Sequence, residues 1–530
     1  MTPEEWIAHD PDPATAAELA GCEPGELAAR FARPLRFGTA GLRGPVRGGP
    51  DAMNLAVVLR ATWAVAQVLK DRGRGGSTVI VGRDARHGSA MFAVATAEVF
   101  AAEGFSVLLF AGPIPTPVLA FAVRRAGAAA GIQITASHNP PSDNGYKVYL
   151  DDGIQIVSPV DRAIETAMAT APFADQIARA PVESTHTSLV DRYIERTAGL
   201  RCSSGSVRVA LTPLHGVGGA VAVETLHRAG FGEVHTVGAQ FAPDPDFPTV
   251  AFPNPEEPGA TDALLRLAHD FDADIAVALD PDADRCAVGI PTPEGWRMLT
   301  GDETGWLLGD YILSHTDSPT TAVVASTVVS SRMLAAVAAR HGARHVETLT
   351  GFKWLARADA GLPGCRLVYA YEEAIGHCVD PDAVRDKDGI SAAVVACDLV
   401  AALKAQGRSV LDMLDELARR HGVHVGAAVS SPVAGPGEAA AIMRRLRREP
   451  PGQLAGFAVC TTDLQPRTDA LVFFGSDAHM WARVVVRPSG TEPKLKFCLE
   501  AGCPPNEDLR HARERATALR DRLVAEVRRW

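Results

Sequence analysis

The sequence has no long apolar run. Its longest candidates are short and interrupted, the stretch 390–403 by Asp398 for example, and none reaches the roughly 18 uncharged residues of a membrane span. The opening, MTPEEWIAHDPD, is acidic and lacks a basic region ahead of an apolar core, so no signal peptide is expected. Cysteine pairing is missing too. The nine cysteines lie at 22, 202, 286, 365, 378, 397, 460, 498 and 503, with no C-x-x-C and the nearest pair at Cys498 and Cys503. An odd, scattered set fits neither a zinc-ligand pattern nor a disulfide framework, and reduced thiols in the cytoplasm are the simple expectation. Basic charge is in deficit: 52 Lys and Arg stand against 63 Asp and Glu, for a net −11. That balance argues against a broad basic surface for nucleic acid and leaves room for a small basic cleft around a phosphorylated metabolite. Neither a membrane nor a nucleic acid is expected as a partner.

With 530 residues, 47% hydrophobic and 22% charged, the chain is long enough for three or four domains of roughly 150 residues. From about residue 54, helical and strand patterns alternate: helices over 55–70, 89–103 and 116–125, strands over 78–82, 106–110 and 131–135. A polar turn over 136–145 precedes two short strands, 146–150 and 154–157. A Ser/Gly patch at 202–206 reads as a linker. The rhythm restarts at strand 207–211, runs through strand 274–279, and starts again at strand 321–326, continuing to a helix over 389–404. Such alternation predicts α/β layering with largely parallel strands. After about 425 the texture changes to strands such as 471–475 and 482–487 and a final charged helix, 506–530, an α+β pattern. The expected domains are 1–203, 204–312, 313–424 and 425–530.

Four loops carry residue types suited to chemistry. Thr135-Ala-Ser-His-Asn-Pro140 follows a buried strand, where Ser137 could expose its hydroxyl at a sheet edge and His138 could bind phosphate or move a proton; a plain turn rich in Ser, Asn and Pro is the alternative. No G-x-S-x-G surrounds it, so a hydrolase elbow is not indicated. Asp280-Pro-Asp282-Ala-Asp284-Arg285 puts three carboxylates at alternate positions after an apolar strand, so an extended loop would aim them the same way at a hard cation such as Mg²⁺. A solvated acidic turn is the alternative. An EF-hand fails on Arg285 and Pro291, and a phosphatase with an Asp nucleophile stays open on this loop alone. Tyr371-Glu-Glu-Ala-Ile-Gly-His377 follows strand 366–370 and offers paired carboxylates to sugar hydroxyls, or else starts a helix with an acidic first turn. Arg487-Pro-Ser-Gly-Thr-Glu-Pro-Lys494 combines a guanidinium fork, hydroxyls and a glycine in the manner of a phosphate cradle, against a plain β-turn.

Three other features attract less function. His215-Gly-Val-Gly-Gly-Ala resembles a dinucleotide turn, but Val221 holds the third glycine position. His421 and His424 lack a third ligand nearby and are expected on ordinary surface. The arginine-rich last helix is interleaved with Glu507, Asp508, Glu514, Asp521 and Glu526, as a solvated amphipathic face would be.

Taken in order, TASHNP, DPDADR, the Glu-Glu…Gly-His loop and RPSGTEPK resemble the α-D-phosphohexomutase superfamily, which contains phosphoglucomutases and phosphomannomutases. The resemblance runs from Arg36-Phe-Gly-Thr-Ala-Gly-Leu-Arg-Gly44 to the C-terminal domain. EEAIG, with Thr350-Gly-Phe-Lys353 and Asp386-Lys-Asp388, is most similar to the branch holding bacterial phosphoglucomutases and animal phosphopentomutase-like enzymes. The resemblance implies three tandem mixed-sheet α/β domains and a smaller α+β domain around a central cleft, each giving one loop. It implies Ser137 as the phosphoserine, and Asp280, Asp282 and Asp284 holding Mg²⁺ together with an oxygen of that phosphoserine. Glu372, Glu373 and His377 would meet the sugar, and Arg285, Thr350, Gly351, Lys353 and Lys494 would also bind substrate. Arg487, Ser489, Gly490 and Thr491 would grip the non-reacting phosphate. Arg43, His138 and Lys147 would surround the transferring group, with Lys147 a candidate acid/base whose pKa Arg43 and Mg²⁺ would lower.

Phosphoryl transfer is largely positioning and charge stabilisation, which suits these residue types. A sugar 1,6-bisphosphate would form, reorient and return its other phosphate to Ser137, favouring a flexible fourth domain and hinge-like closure. One slot departs from the common G-E-M-S-G-H loop: Ile375 offers no hydroxyl, which leaves sugar preference open. Glucose 1-phosphate is the first expectation, then mannose 1-phosphate, then a pentose 1-phosphate. An Asp280 phosphatase would leave Ser137 and the RPSGTEPK loop without roles, and nothing in the sequence favours a silent sugar-phosphate sensor.

Overall fold

In the computed structural model, residues 1–37, 41–489, 494–506 and 508–530 are described. The chain forms two compact units, Met1–Leu299 with Ala374–Ala402, and Thr300–Glu373 with Leu403–Trp530.

The first unit holds two mixed sheets. One has the order Leu42–Pro45, Asp143–Leu150, Ala130–Ile134, Thr78–Arg83, Ser106–Phe110, Ser184–Thr185. Its centre is parallel, joined by right-sized crossover helices Ser89–Ala102 and Thr116–Ala126, while Asp143–Leu150 runs antiparallel to both neighbours. The strand Ala130–Ile134 is buried on both faces, as a central parallel strand must be. The second sheet runs Gly295–Met298, Cys286–Thr292, Ile275–Leu279, Arg208–Thr212, Glu233–Thr236, again with a parallel core and an antiparallel edge.

In the second unit, Arg344–Thr348, Ala322–Thr327 and Arg366–Glu372 lie side by side and parallel, so their C-terminal ends reach one sheet edge. The last sheet is wholly antiparallel, Val423–Pro432, Lys494–Cys503, Trp481–Pro488, Leu471–Ser476, Cys460–Asp463. Leu509–Val527 covers it with Leu509, Ala512, Ala516, Leu519, Leu523 and Val527 buried, the 3.6-residue stripe of a one-sided helix. The expected α/β layering with an α+β end is therefore present.

Several local expectations change. No strand forms over 154–157. A 3-10 turn at Asp151–Gly153 ends the preceding strand, and only the isolated bridge Tyr149–Gln155 remains. The last helix starts at Leu509, where the Asp508 side chain accepts from His511 N, and it stops at Val527. The 202–206 patch is irregular but anchored: Asp398, fully buried, accepts the backbone N–H groups of Cys202 and Ser203 at 2.8 Å each. His424 is not ordinary surface, because its Nδ1 lies 2.8 Å from Glu500 Oε1 with both side chains under a tenth exposed. Among the described residues, no single helix is long and apolar enough to cross a membrane.

Candidate active site

The first unit brings the serine loop and the aspartate loop together. Ser137 follows the strand Ala130–Ile134 and adopts φ 56, a left-handed conformation that costs a non-glycine residue energy. Its Oγ donates to Asp280 Oδ2 at 2.9 Å and lies 3.3 Å from His138 Nδ1. Lys147 comes from the antiparallel partner strand, in register with Gln133, and Arg43 from the next strand, opposite Gly145. Gly145 is needed there: a Cβ would meet Thr135 O at 2.4 Å and Leu42 O at 2.8 Å, so any side chain would push the serine loop and the Arg43 strand apart.

The three aspartates converge through a tight turn, not an extended loop. Ala283 N donates to Asp280 O at 2.8 Å, and Ala283 has φ 55. All three side chains are buried, with ligand oxygens within 4.8 Å of one another. Thr116 Oγ1 donates to Asp282 Oδ2 at 2.5 Å, and Lys147 Nζ pairs with Asp282 Oδ2 at 2.6 Å and Asp284 Oδ2 at 2.9 Å. Lys387 Nζ adds a contact to Asp284 Oδ2 at 3.3 Å, and Arg285 N donates to Asp280 Oδ1 at 3.1 Å.

The electrostatics are those of a site short of positive charge. Burial, with Asp282 and Asp284 beside it, holds the Asp280 carboxyl well above its ordinary range. Burial also works to raise Asp284, but Lys147, Lys387 and Arg285 outweigh it and leave that carboxyl low. Among the described residues, none donates a hydrogen bond to Asp282 Oδ1 or Asp284 Oδ1, although both are buried. A hard, oxygen-seeking divalent cation fits this donor set: it would use those two oxygens and remove the repulsion on Asp280.

Burial and Arg43 pull the Lys147 pKa down, but without a cation on the aspartates the paired Asp282 and Asp284 raise it above the ordinary value, which leaves the side chain an ammonium. His138 goes the other way, held well below its usual pKa by Arg285, burial and Arg43, and is neutral.

His377 belongs to this unit and is fully buried, its pKa lowered to about 3 by burial. Ile375 is buried with Ala276, Ala278 and Ala287, and its carbonyl accepts Cys286 N at 3.0 Å. The Gly-rich turn after His215, dismissed as a dinucleotide site, backs the aspartate loop: Val217 N donates to Pro281 O at 2.8 Å.

The second unit carries the remaining candidates. Glu372 and Glu373 end its share of the 371–377 loop, and the chain then turns into the short strand Gly376–Cys378 of the first unit rather than starting a helix. Glu373 Oε2 accepts Thr327 Oγ1 at 2.9 Å and Ser330 Oγ at 2.8 Å, and Thr350 and Gly351 follow the neighbouring parallel strand, ahead of Lys353 in the short helix Phe352–Leu355. These positions share the sheet edge where α/β proteins bind ligands. Arg487 lies near the end of Trp481–Pro488, and Ser489 N donates to Lys494 O at 2.9 Å, closing that loop's base. Gly490 and Thr491 lie outside the described residues. Cys498 feels both Glu373 and Arg487: burial pushes its thiol up to about 12, Glu373 adding and Arg487 opposing. Thr327 and Ser330, which hold Glu373, carried no motif signal.

Three family models match along the chain: the phosphoglucomutase/phosphomannomutase alpha/beta/alpha domains I, II and III, over residues 34–175, 191–293 and 300–421. A Haemophilus influenzae protein named "Probable phosphomannomutase" is 41% identical over 464 residues, 85% of this chain and 93% of its own. The mouse (Mus musculus) phosphopentomutase is 33% identical over 96% of this chain and 91% of its own, and a Staphylococcus haemolyticus phosphoglucomutase 31% over 88% and 90%. The crystal structure of a phosphoglucomutase/phosphomannomutase family protein from Burkholderia thailandensis superposes with TM-score 0.70 over 93% of this chain and 96% of its own, and at 21% identity that likeness concerns the fold. Fold and matches together define a phosphomutase, an isomerase that works by intramolecular phosphotransfer. The chain belongs to the phosphoglucomutase/phosphomannomutase family, within the α-D-phosphohexomutase superfamily.

Proposed function

We propose that this phosphomutase moves a phosphoryl group between the 1- and 6-positions of a hexose through phospho-Ser137 and a sugar 1,6-bisphosphate, with glucose 1-phosphate preferred. The observation that carries the reading is the Ser137 hydroxyl 2.9 Å from Asp280, inside a buried carboxylate triad that also pairs with Lys147. Asp280, Asp282 and Asp284, with Ser137, would hold Mg²⁺. Bound there, the cation polarises a phosphoryl oxygen and neutralises charge that develops in transfer.

The chain's own groups do the rest. Arg43 and Arg285 add positive charge around the serine loop. The sugar hydroxyl that accepts the phosphoryl group must lose a proton, and the Ser137 oxygen that gives it up must gain one. Neutral His138, 3.3 Å from that oxygen, and the Lys147 ammonium are the two groups fitted to carry it. Glu373 is assigned to sugar hydroxyls, its Oε2 fixed by two protein hydroxyls, and Arg487, Ser489 and Lys494 to the phosphate that does not react. With Ile375 and His377 buried, neither is assigned a direct sugar contact.

Phosphorus NMR of glucose, mannose and ribose 1-phosphates, each with enzyme, Mg²⁺ and the matching bisphosphate, tests this. Glucose 1-phosphate is expected to become glucose 6-phosphate fastest, and Ser137→Ala to abolish conversion. Faster ribose turnover would favour a pentose substrate, the reading that the similarity to mouse phosphopentomutase supports. Accumulating inorganic phosphate would instead point to a phosphatase.

A further inference from the structure

The serine loop is held by a residue that no motif marked. Arg86 lies between the strand Thr78–Arg83 and the helix Ser89–Ala102 and is 4% exposed. Its Nη2 donates to Ser137 O at 2.7 Å and Asn139 O at 2.5 Å, and its Nη1 to Pro140 O at 2.7 Å and Asp143 O at 3.1 Å. Four carbonyl oxygens of one short loop thus converge on one guanidinium. Without it the buried Ser137 carbonyl would lose this donor, and the three half-buried carbonyls beside it would face one another without the guanidinium between them. Asp84 fixes the clamp from below: its Oδ1 accepts Arg86 N at 2.9 Å and Ser89 Oγ at 2.6 Å, and its Oδ2 lies 3.4 Å from Arg86 Nε. The Phe247 ring covers the guanidinium, 4.9 Å from its carbon.

We propose that Arg86 is a positioning residue for phosphoryl transfer, keeping Ser137 in its left-handed conformation with the hydroxyl at Asp280; the inference rests on the reading of Ser137 above. A φ of 56 at serine persists only where its surroundings over-determine it, and Arg86 is the group that takes the Ser137 carbonyl itself. Arginine suits the task because its planar fork presents several donors at fixed angles. A lysine keeps the charge but cannot span the same four acceptors. A displacement of the nucleophile by an ångström is enough to slow transfer strongly while leaving remote binding intact.

The test is single-turnover phosphorylation of the full-length enzyme by glucose 1,6-bisphosphate, followed by intact mass, with Ser137→Ala beside it. If wild type gains no phosphate that Ser137→Ala fails to gain, the reading of Ser137 falls, and the clamp with it. Given a phosphorylated wild type, Arg86→Lys is expected to slow uptake and kcat by 30-fold or more, with KM for the sugar phosphate and Mn²⁺ affinity within threefold of wild type. A folded Arg86→Lys protein with unchanged kcat, or with a KM effect alone, overturns the clamp. Where Arg86→Lys loses its cooperative melt, Asp84→Asn decides in its place: slowed transfer at unchanged KM supports the proposal, and an unchanged rate overturns it.

Discussion

His377 shows how a single buried side chain sets acid sensitivity. In the unfolded chain its imidazole takes a proton near pH 6.5, whereas burial in the fold resists protonation down to about 3. Between those values the unfolded state binds the extra proton. The stability His377 contributes is therefore complete above about pH 6.5 and is lost as pH falls toward 3, with a slope approaching about 1.4 kcal/mol per pH unit. His377→Gln is expected to shrink the drop in Tm between pH 7.5 and 5.0 by several degrees, measured by circular dichroism without ligands. An identical acid-side drop in variant and wild type would show that the buried imidazole does not govern it. The sequence marked His377 as a residue of interest because of its motif. It could not show the burial, since that depends on how the short strand Gly376–Cys378 packs in the fold, where the His377 carbonyl accepts the Asp388 N–H at 2.8 Å.

At the scale of elements, the loop carrying the aspartates depends on the turn behind it. A Cβ on Gly216 would sit 2.3 Å from Pro281 Cα and 2.4 Å from Pro281 O, backbone atoms that cannot rotate away. Gly216→Ala should displace the 280–285 loop and weaken Mn²⁺ binding tenfold or more, read by electron paramagnetic resonance, while the helix Leu509–Val527 keeps its hydrogen-exchange protection. Unaltered Mn²⁺ affinity in a folded variant would mean that the turn does not set the loop. Strong periodicity made the helices Leu55–Asp71 and Thr116–Ala126 and the buried strands legible within a few residues. The role of the His215 turn was not legible, because a glycine needed for close approach to another segment carries no local signature. The 154–157 run failed for a related reason. Its apolar, strand-like composition is local, but pairing needs a partner, and only Tyr149 supplies a bridge. Likewise the aspartates reach one another through a turn at Ala283, which alternation along an extended strand did not anticipate.

At the scale of the whole molecule, the order of the four loops was legible, whereas the distant residues that tie modules together were not. Within the second unit, Arg483 reaches from the strand that carries Arg487 to the loop 328–332, donating to Val328 O and to Ser330 O at 3.2 Å. Glu500, on the neighbouring strand, accepts Ser331 Oγ at 2.5 Å, Arg332 N at 3.0 Å and His424 Nδ1 at 2.8 Å. Since Ser330 also holds Glu373, one loop joins the last sheet to the proposed sugar-reading carboxylate. Burial works to raise the Glu500 pKa, but His424, Arg483 and Ser331 keep it below the ordinary value, so the carboxylate is charged. Removing one member of such a buried network costs about 3–5 kcal/mol, because the partner charges lose their compensation. Glu500→Leu should therefore lower the melting temperature and speed hydrogen exchange across 327–332 and 481–488, with 130–150 unchanged. Arg483→Met in the same chain removes the charge left behind, so the double variant should melt above Glu500→Leu alone. Additive losses in the double variant would mean that Arg483 and Glu500 act independently, and that the loop, rather than a charge network, joins the last sheet to Glu373.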